Sequence, residues 1–262
     1  MTILKNNWFR TNIEDWHKDI NSKIEYTYDA GDFIPSNFAD AAKKIALEIQ
    51  AKYEHIYVAY SGGMDSEYVV RLFHENNIKF TPVCAWPAAT RSIRDAYKVC
   101  EELNIKPITI KLNDDDIWEI IKEMNIKTYS IINQPAVYAV CKLAKKLYKD
   151  AIVVTGETAM DSNDRFRPQE QQQYNNLITK YKDMILPFFY YNQHIIYELI
   201  VGIADNRYTK EKFYNIPWRR KIKTINYITE NLNKKVRNYY EIIHDGDEKI
   251  HYFKILPSKL LK

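Results

Sequence analysis

From residue 55 to residue 155 the chain alternates short apolar runs with longer amphipathic stretches, and that rhythm leaves few folds open. Residues 55–60 (HIYVAY), 80–85 (FTPVCA), 107–112 (PITIKL) and 151–155 (AIVVT) have the length and β-branched content of strands. Residues 65–76 place Tyr68, Val69, Leu72 and Phe73 on one helical face, and residues 92–104 do the same with Ile93, Ala96, Val99, Cys100 and Leu103. The Asn-Asp-Asp-Asp run at 113–116 caps a third helix carrying Ile117, Trp118, Ile120 and Ile121, and residues 134–149 read as a fourth. An earlier helix opens at Asn37-Phe38-Ala39-Asp40, a capping-box pattern, and runs to Tyr53. Strand followed by helix at these spacings predicts an α/β domain, a parallel sheet wound with helices. Such sheets bind ligands at the carboxyl ends of their strands.

One junction in this pattern carries chemistry. Tyr60-Ser61-Gly62-Gly63-Met64-Asp65-Ser66 lies between the first strand and its helix. Two glycines let backbone approach a ligand and adopt positive φ. Ser61 and Ser66 bring hydroxyls, and the first N–H groups of the following helix point into the same space, an arrangement suited to phosphate. The loop has no lysine, which separates it from the GxxxxGK[ST] phosphate loop. An aspartate among phosphate-binding amides is self-defeating unless a cation accompanies it, so Asp65 is read as a holder of Mg²⁺. A plain strand-to-helix turn would need only one of these residues.

The string Ser61-Gly62-Gly63-Met64-Asp65-Ser66 resembles the PP-loop of the N-type ATP pyrophosphatases, and the resemblance covers roughly residues 50–160. It implies the adenine nucleotide alpha-hydrolase-like, Rossmann-type version of the sheet deduced above. It also implies an enzyme that splits ATP between the α and β phosphates, adenylates an oxygen of its substrate and lets an amine or another nucleophile displace AMP. Three short segments further resemble the synthetase domain of asparagine synthetases: Val154-Thr155-Gly156-Glu157-Thr158-Ala159-Met160-Asp161, Leu186-Pro187-Phe188-Phe189 and Ile216-Pro217-Trp218-Arg219-Arg220-Lys221. The first departs from that family's Gly-Glu-Gly-Ala-Asp-Glu by one inserted residue before Asp161 and by Ser162 in place of the final glutamate.

On this reading ATP lies over Ser61, Gly62, Gly63, Asp65 and Ser66, with adenine against Ala59, Tyr60, Cys84 and Ala85 and with Gly156 at the next strand end. Mg²⁺ falls to Asp65, Glu157 and Asp161. Lys221 and Arg219 supply the cations that a pyrophosphate leaving group demands. Glu157 equally suits a helix-start acid, and residues 219–221 a solvated helix start. Asp114, Asp115 and Asp116 read as a first-turn cap rather than a metal cluster, and Trp86 and Tyr97 as aromatic packing before pocket lining.

Composition narrows the remaining choices. With 46% hydrophobic and 27% charged residues, the 262-residue chain can bury a sizeable core. No apolar run reaches the roughly 20 residues of a membrane span. The first residues lack a signal-peptide core, so a cytoplasmic protein is expected. Cys84, Cys100 and Cys141 form no CxxC and no metal pair, so buried reduced thiols are expected. Zinc chemistry and paired persulfide-carrying cysteines leave the list of mechanisms with them. A sulfonucleotide-reductase-like reading would require a C-terminal cysteine, and no cysteine follows Cys141. No cysteine follows Met1, so the resemblance lacks the glutaminase half, and ammonia, a free amine or a separate donor protein is expected to serve as donor to a small-molecule acceptor.

Charge is uneven along the chain. Residues 205–262 hold 14 Lys/Arg against 7 Asp/Glu, a surplus of +7 that leaves −3 for residues 1–204 of a chain whose net charge is +4. That surplus, with its tyrosines, suits either a solvated lysine-rich surface or RNA. The alternatives are therefore an RNA-modifying member and a nucleotide-binding module without turnover, and a homo-oligomer stays open. The expected layout is an N-terminal arm over 1–36 and a nucleotide-binding domain over 37–160. A mainly helical, basic region over 161–262 follows, with a polar loop at 160–182, helices at 192–204 and 220–232 and a terminal hairpin around 244–247.

Overall fold

The computed structural model describes residues 9–11, 26–28, 37–87, 92–124, 133–156, 184–191 and 195. Its centre is a parallel sheet of five strands, β3 (Ile56–Ala59), β4 (Thr81–Pro87), β5 (Ile108–Leu112), β6 (Ile152–Thr155) and β7 (Ile185–Pro187). Between them run α2 (Met64–Glu75), α3 (Ser92–Glu102), α4 (Asp114–Met124) and α5 (Asn133–Leu147), and α1 (Phe38–Lys52) precedes the first strand of the sheet. The strand order is β5-β4-β3-β6-β7. The chain thus winds outward from β3 in one direction, returns through α4 and α5, and continues on the other side. That is the doubly wound, Rossmann-type arrangement, with its topological switch between β3 and β6.

Both faces of the sheet are covered, which explains why its strands read as continuous apolar runs. Side chains alternate across the pleat. Ile56, Val58, Cys84, Ile152, Val154 and Leu186 pack into one core with the buried faces of α1, α2 and α3. Tyr57, Val83, Val153 and Ile185 pack into the other with Ile117, Ile120 and Ile121 of α4 and Val137, Val140, Cys141 and Ala144 of α5. Phe188 and Phe189 close the first core beside Phe38, Tyr68 and Phe73, with ring centroids 5.3–6.4 Å apart.

Local signals account for the helix limits. The Asn37 side chain accepts from the Asp40 N–H at 2.9 Å, as its capping pattern predicts. At α4 the box is reciprocal: the Asn113 side chain accepts from the Asp116 N–H and the Asp116 carboxylate accepts from the Asn113 N–H, both at 2.9 Å. The aspartates at 114–116 therefore form the acidic first turn of a helix. Both α2 and α3 end on a left-handed asparagine, Asn77 (φ 54°) and Asn104 (φ 52°). The Ile78 N–H then bonds the Phe73 carbonyl and the Ile105 N–H bonds the Cys100 carbonyl, the Schellman closure in both cases. Pro82 is tolerated within an inner strand because pairing with β5 begins only at Val83.

The sheet departs from the sequence reading in one element. Its fifth strand comes from residues 185–187, where no strand is expected, and it pairs in parallel with β6 from Val153↔Ile185 to Thr155↔Pro187. Three residues ending in proline are too few to show a two-residue period. The N-terminal arm contains a pair of strands, β1 (Phe9–Thr11) and β2 (Tyr26–Tyr28), antiparallel from Phe9↔Tyr28 to Thr11↔Tyr26. The chain between these two strands, residues 12–25, lies outside the described residues. Of the expected helix at 192–204 only Ile195 is described, helical and buried in the first core, and the expected helix at 220–232 and the terminal hairpin lie outside the described residues.

Candidate functional site

The carboxyl ends of β3, β4 and β6 meet at the switch point, where Ala59 stands in register with Val83 on one side and Thr155 on the other. Tyr60 leaves the strand buried, its N–H bonded to the Val83 carbonyl at 2.9 Å. The chain then turns through Ser61, Gly62 and Gly63 into α2. Gly62 has φ 72°, a conformation that costs any side-chain-bearing residue. Gly63 is the N-cap of α2 and carries no side-chain cap, whereas Asn37 and Asp116 with Asn113 serve that purpose at α1 and α4. The N-cap of α2 thus offers no side-chain oxygen to the first-turn N–H groups, and the acids of that turn are Asp65 and Glu67.

The two serines bond to the loop itself. Ser66 is buried, and its hydroxyl donates to the Gly63 carbonyl at 3.0 Å while accepting from the Ser61 N–H at 3.3 Å. Its single hydrogen is committed, so in the 3.1 Å contact between the two hydroxyls Ser61 is the donor. The Ser61 oxygen also accepts from the Gly63 N–H at 3.2 Å. The hydroxyls therefore brace the loop against the first turn of α2. Asp65 sits half-buried in that turn.

Gly156 approaches from β6. A Cβ at this position would stand 2.6 Å from the Ser66 nitrogen, 2.7 Å from its Cα and 2.8 Å from the Asp65 carbonyl carbon. Only glycine lets the end of β6 rest against the first turn of α2. Cys84 and Ala85 lie on β4 beside the loop, but Cys84 is fully buried, which leaves only its backbone for contact with a ligand. Burial pushes the Cys84 thiol up to about 12 and the Cys100 thiol to about 11, so both are protonated, inert packing groups. Cys141 is buried as well. The structure thus brings Ala59, Tyr60, Ser61, Gly62, Gly63, Asp65, Ser66, Cys84, Ala85 and Gly156 to one end of the sheet. Glu157, Asp161, Arg219 and Lys221 lie outside the described residues.

Two features of this end escape sequence reasoning. Thr155 is fully buried at the end of β6, and its hydroxyl has no hydrogen-bond partner among the described residues. A polar residue closing the apolar run 151–154 is its only sequence signal. Behind the loop, Arg71 donates to Glu67 at 2.8 Å and, through both terminal nitrogens, to Glu102 at 2.9 Å. This bidentate pairing holds the Arg71 guanidinium above its ordinary pKa and ties α2 to α3. Tyr97 spends its hydroxyl on Thr109 of β5 and is part-exposed on α3.

The fold and loop define a class, a doubly wound α/β protein with a glycine loop at its switch point. Comparison with known proteins adds distant likenesses. No family model and no curated protein matches the chain. Among solved structures, an NMN synthetase from Francisella tularensis is similar at 13% identity over 85% of this chain and 99% of that one, with a TM-score of 0.40. An NH3-dependent NAD synthetase from Campylobacter jejuni is similar at 15% identity over 79% and 94%, with a TM-score of 0.39. A predicted subunit of tRNA methyltransferase from Methanocaldococcus jannaschii is similar at 16% identity over 64% and 94%, with a TM-score of 0.34. At these identities and scores the likenesses carry no argument about activity. No helix among the described residues is long and apolar enough to cross a membrane.

Proposed function

We propose that the protein is an ATP-dependent, AMP-forming enzyme of the PP-loop type, joining an amine or ammonia to a small-molecule acceptor. The observation that carries this reading is the turn at Ser61–Gly63, which enters α2 with φ 72° at Gly62 and a glycine N-cap free of any side-chain cap. A helix start shaped in this way accepts phosphate on backbone N–H groups, and the missing side chains leave room for it. In the proposed cycle an acceptor oxygen attacks the α-phosphorus, and the bond to the α–β bridging oxygen breaks and releases pyrophosphate. The amine then attacks the adenylated carbon, and AMP leaves with that oxygen.

Backbone amides of the loop hold the phosphates, and the Ser61–Ser66 brace keeps those amides aimed. Ala59, Tyr60, Cys84 and Ala85 form the wall offered to adenine. Asp65 fits a metal holder because it stands in the first turn of α2, where its carboxylate would face the oxygens of a bound phosphate and a cation between them would relieve that repulsion. With Glu157 and Asp161 it would hold Mg²⁺, which when bound neutralises the phosphate oxygens. Lys221 and Arg219 would meet the pyrophosphate. The basic surplus after residue 204 favours a second reading in which the acceptor is RNA.

The test is incubation with ATP, Mg²⁺ and a panel of carboxylic acids, amines and tRNA, following AMP against ADP. AMP and pyrophosphate released only with an acceptor support the proposal, and Asp65→Asn is expected to lose that turnover with its fold intact. Release of ADP, or ATP binding with no acceptor-dependent turnover, overturns it. Retention of RNA at low salt together with AMP release selects the second reading.

A further inference from the structure

At the opposite end of the sheet, two chain turns bring together three side chains that none of the preceding chemistry uses. Glu54 and His55 lie between α1 and β3, and Asp150 lies between α5 and β6. One ligand atom from each, a carboxylate oxygen, an imidazole nitrogen and a second carboxylate oxygen, lies within 4.8 Å of the other two. Among the described residues no hydrogen bond or ion pair engages these three side chains, so the atoms converge without satisfying one another.

The turns themselves are anchored. The Ile152 N–H bonds the His55 carbonyl at 2.9 Å, and Ile56 stands in register with Ile152, which fixes the two segments side by side. The His55 ring is half-buried and stacks on Tyr148 with centroids 3.5 Å apart and planes 17° apart. Its orientation is therefore set before any ligand arrives. Two carboxylates held this close repel, and a dication relieves that repulsion.

We propose that Glu54, His55 and Asp150 form a binding site for a first-row transition dication such as Zn²⁺. Imidazole with two carboxylates is a borderline donor set that favours such ions over Mg²⁺ or Ca²⁺. Three protein ligands leave a fourth position for water in a tetrahedral site. Four residues of β3 separate this site from the glycine loop, about 13 Å at ~3.3 Å per residue. Its role is accordingly to pin the turns before β3 and β6, and it stands or falls independently of the proposed activity.

The experiment is calorimetric titration of the metal-stripped, full-length protein with ZnCl₂ and separately with MgCl₂, alongside thermal melts. One equivalent of Zn²⁺ is expected to bind, and a hundredfold excess over its dissociation constant to raise Tm by roughly 5–10 °C. His55→Ala and Asp150→Asn are each expected to weaken binding at least tenfold. Asp150→Asn keeps its shape and exposure, so it reports on ligation if His55→Ala fails to fold. Absence of stoichiometric Zn²⁺ binding, equal affinity in Asp150→Asn, or an equal response to Mg²⁺ overturns the proposal.

Discussion

Gly62 and Gly156 are required for different reasons, and the difference is measurable. At Gly62 the demand is conformational, since alanine at φ 72° incurs about 1–2 kcal/mol of backbone strain. At Gly156 the demand is spatial, because a methyl group meets backbone atoms of Asp65 and Ser66 that no rotamer can move. Overpacking of that kind costs about 1–3 kcal/mol. Gly62→Ala and Gly156→Ala are therefore both expected to lower the denaturation midpoint. Both are also expected to weaken ATP binding at least tenfold in equilibrium titration, since each displaces the first turn of α2. Unchanged ATP affinity in either variant would separate that glycine from the proposed phosphate cradle. The glycines were legible as letters in a motif, whereas the role of the serines was not. A hydroxyl next to a phosphate loop reads as a ligand donor, and only the geometry assigns the hydrogen of Ser66 to the Gly63 carbonyl.

Among the elements, α2 is held from behind as well as in front. Glu67 is 4% exposed, and Arg71 joins it to Glu102 of α3. Arg71→Ala removes the arginine from a buried carboxylate. Removing one partner of a sealed pair costs about 3–5 kcal/mol, and the partial exposure of Arg71 lowers that to about 2–3 kcal/mol here. Urea unfolding of Arg71→Ala measures the loss, and Arg71→Met with Glu67→Leu is expected to recover most of it. Neither the clamp nor β7 was legible. Glu67, Arg71 and Glu102 look like an ordinary charged helix surface in one dimension, because their meeting depends on how α2 packs against α3. By contrast, α1 to α5 and β3 to β6 could all be read from periodicity and caps, because each buries an uninterrupted face or run.

At the scale of the whole molecule, the interior is set against high pH. Cys84 and Cys100 hold their protons to about 12 and 11, above an ordinary value of 9.0, and burial raises Tyr68 as well. A folded-state pKa raised in this way means that the native state binds more protons than the unfolded state between the two values. The stabilisation is complete below pH 9 and drains away as pH climbs through 11 to 12. Each thiol contributes a slope of up to about 1.4 kcal/mol per pH unit in that window. Urea midpoints taken at rising pH above 9 should fall, and a Cys84→Ala, Cys100→Ala double variant should fall less steeply. The order of the strands was not spelled out by local pattern, since the return through α4 and α5 to the far side of β3 is a long-range choice. That choice also determines where the sheet stops. Among the described residues one margin is β7, three residues closed by a proline that cannot donate, a poor template for a strand from another chain. Growth of the sheet from molecule to molecule is discouraged at that border, which helps keep a β-rich apolar interior from seeding fibres.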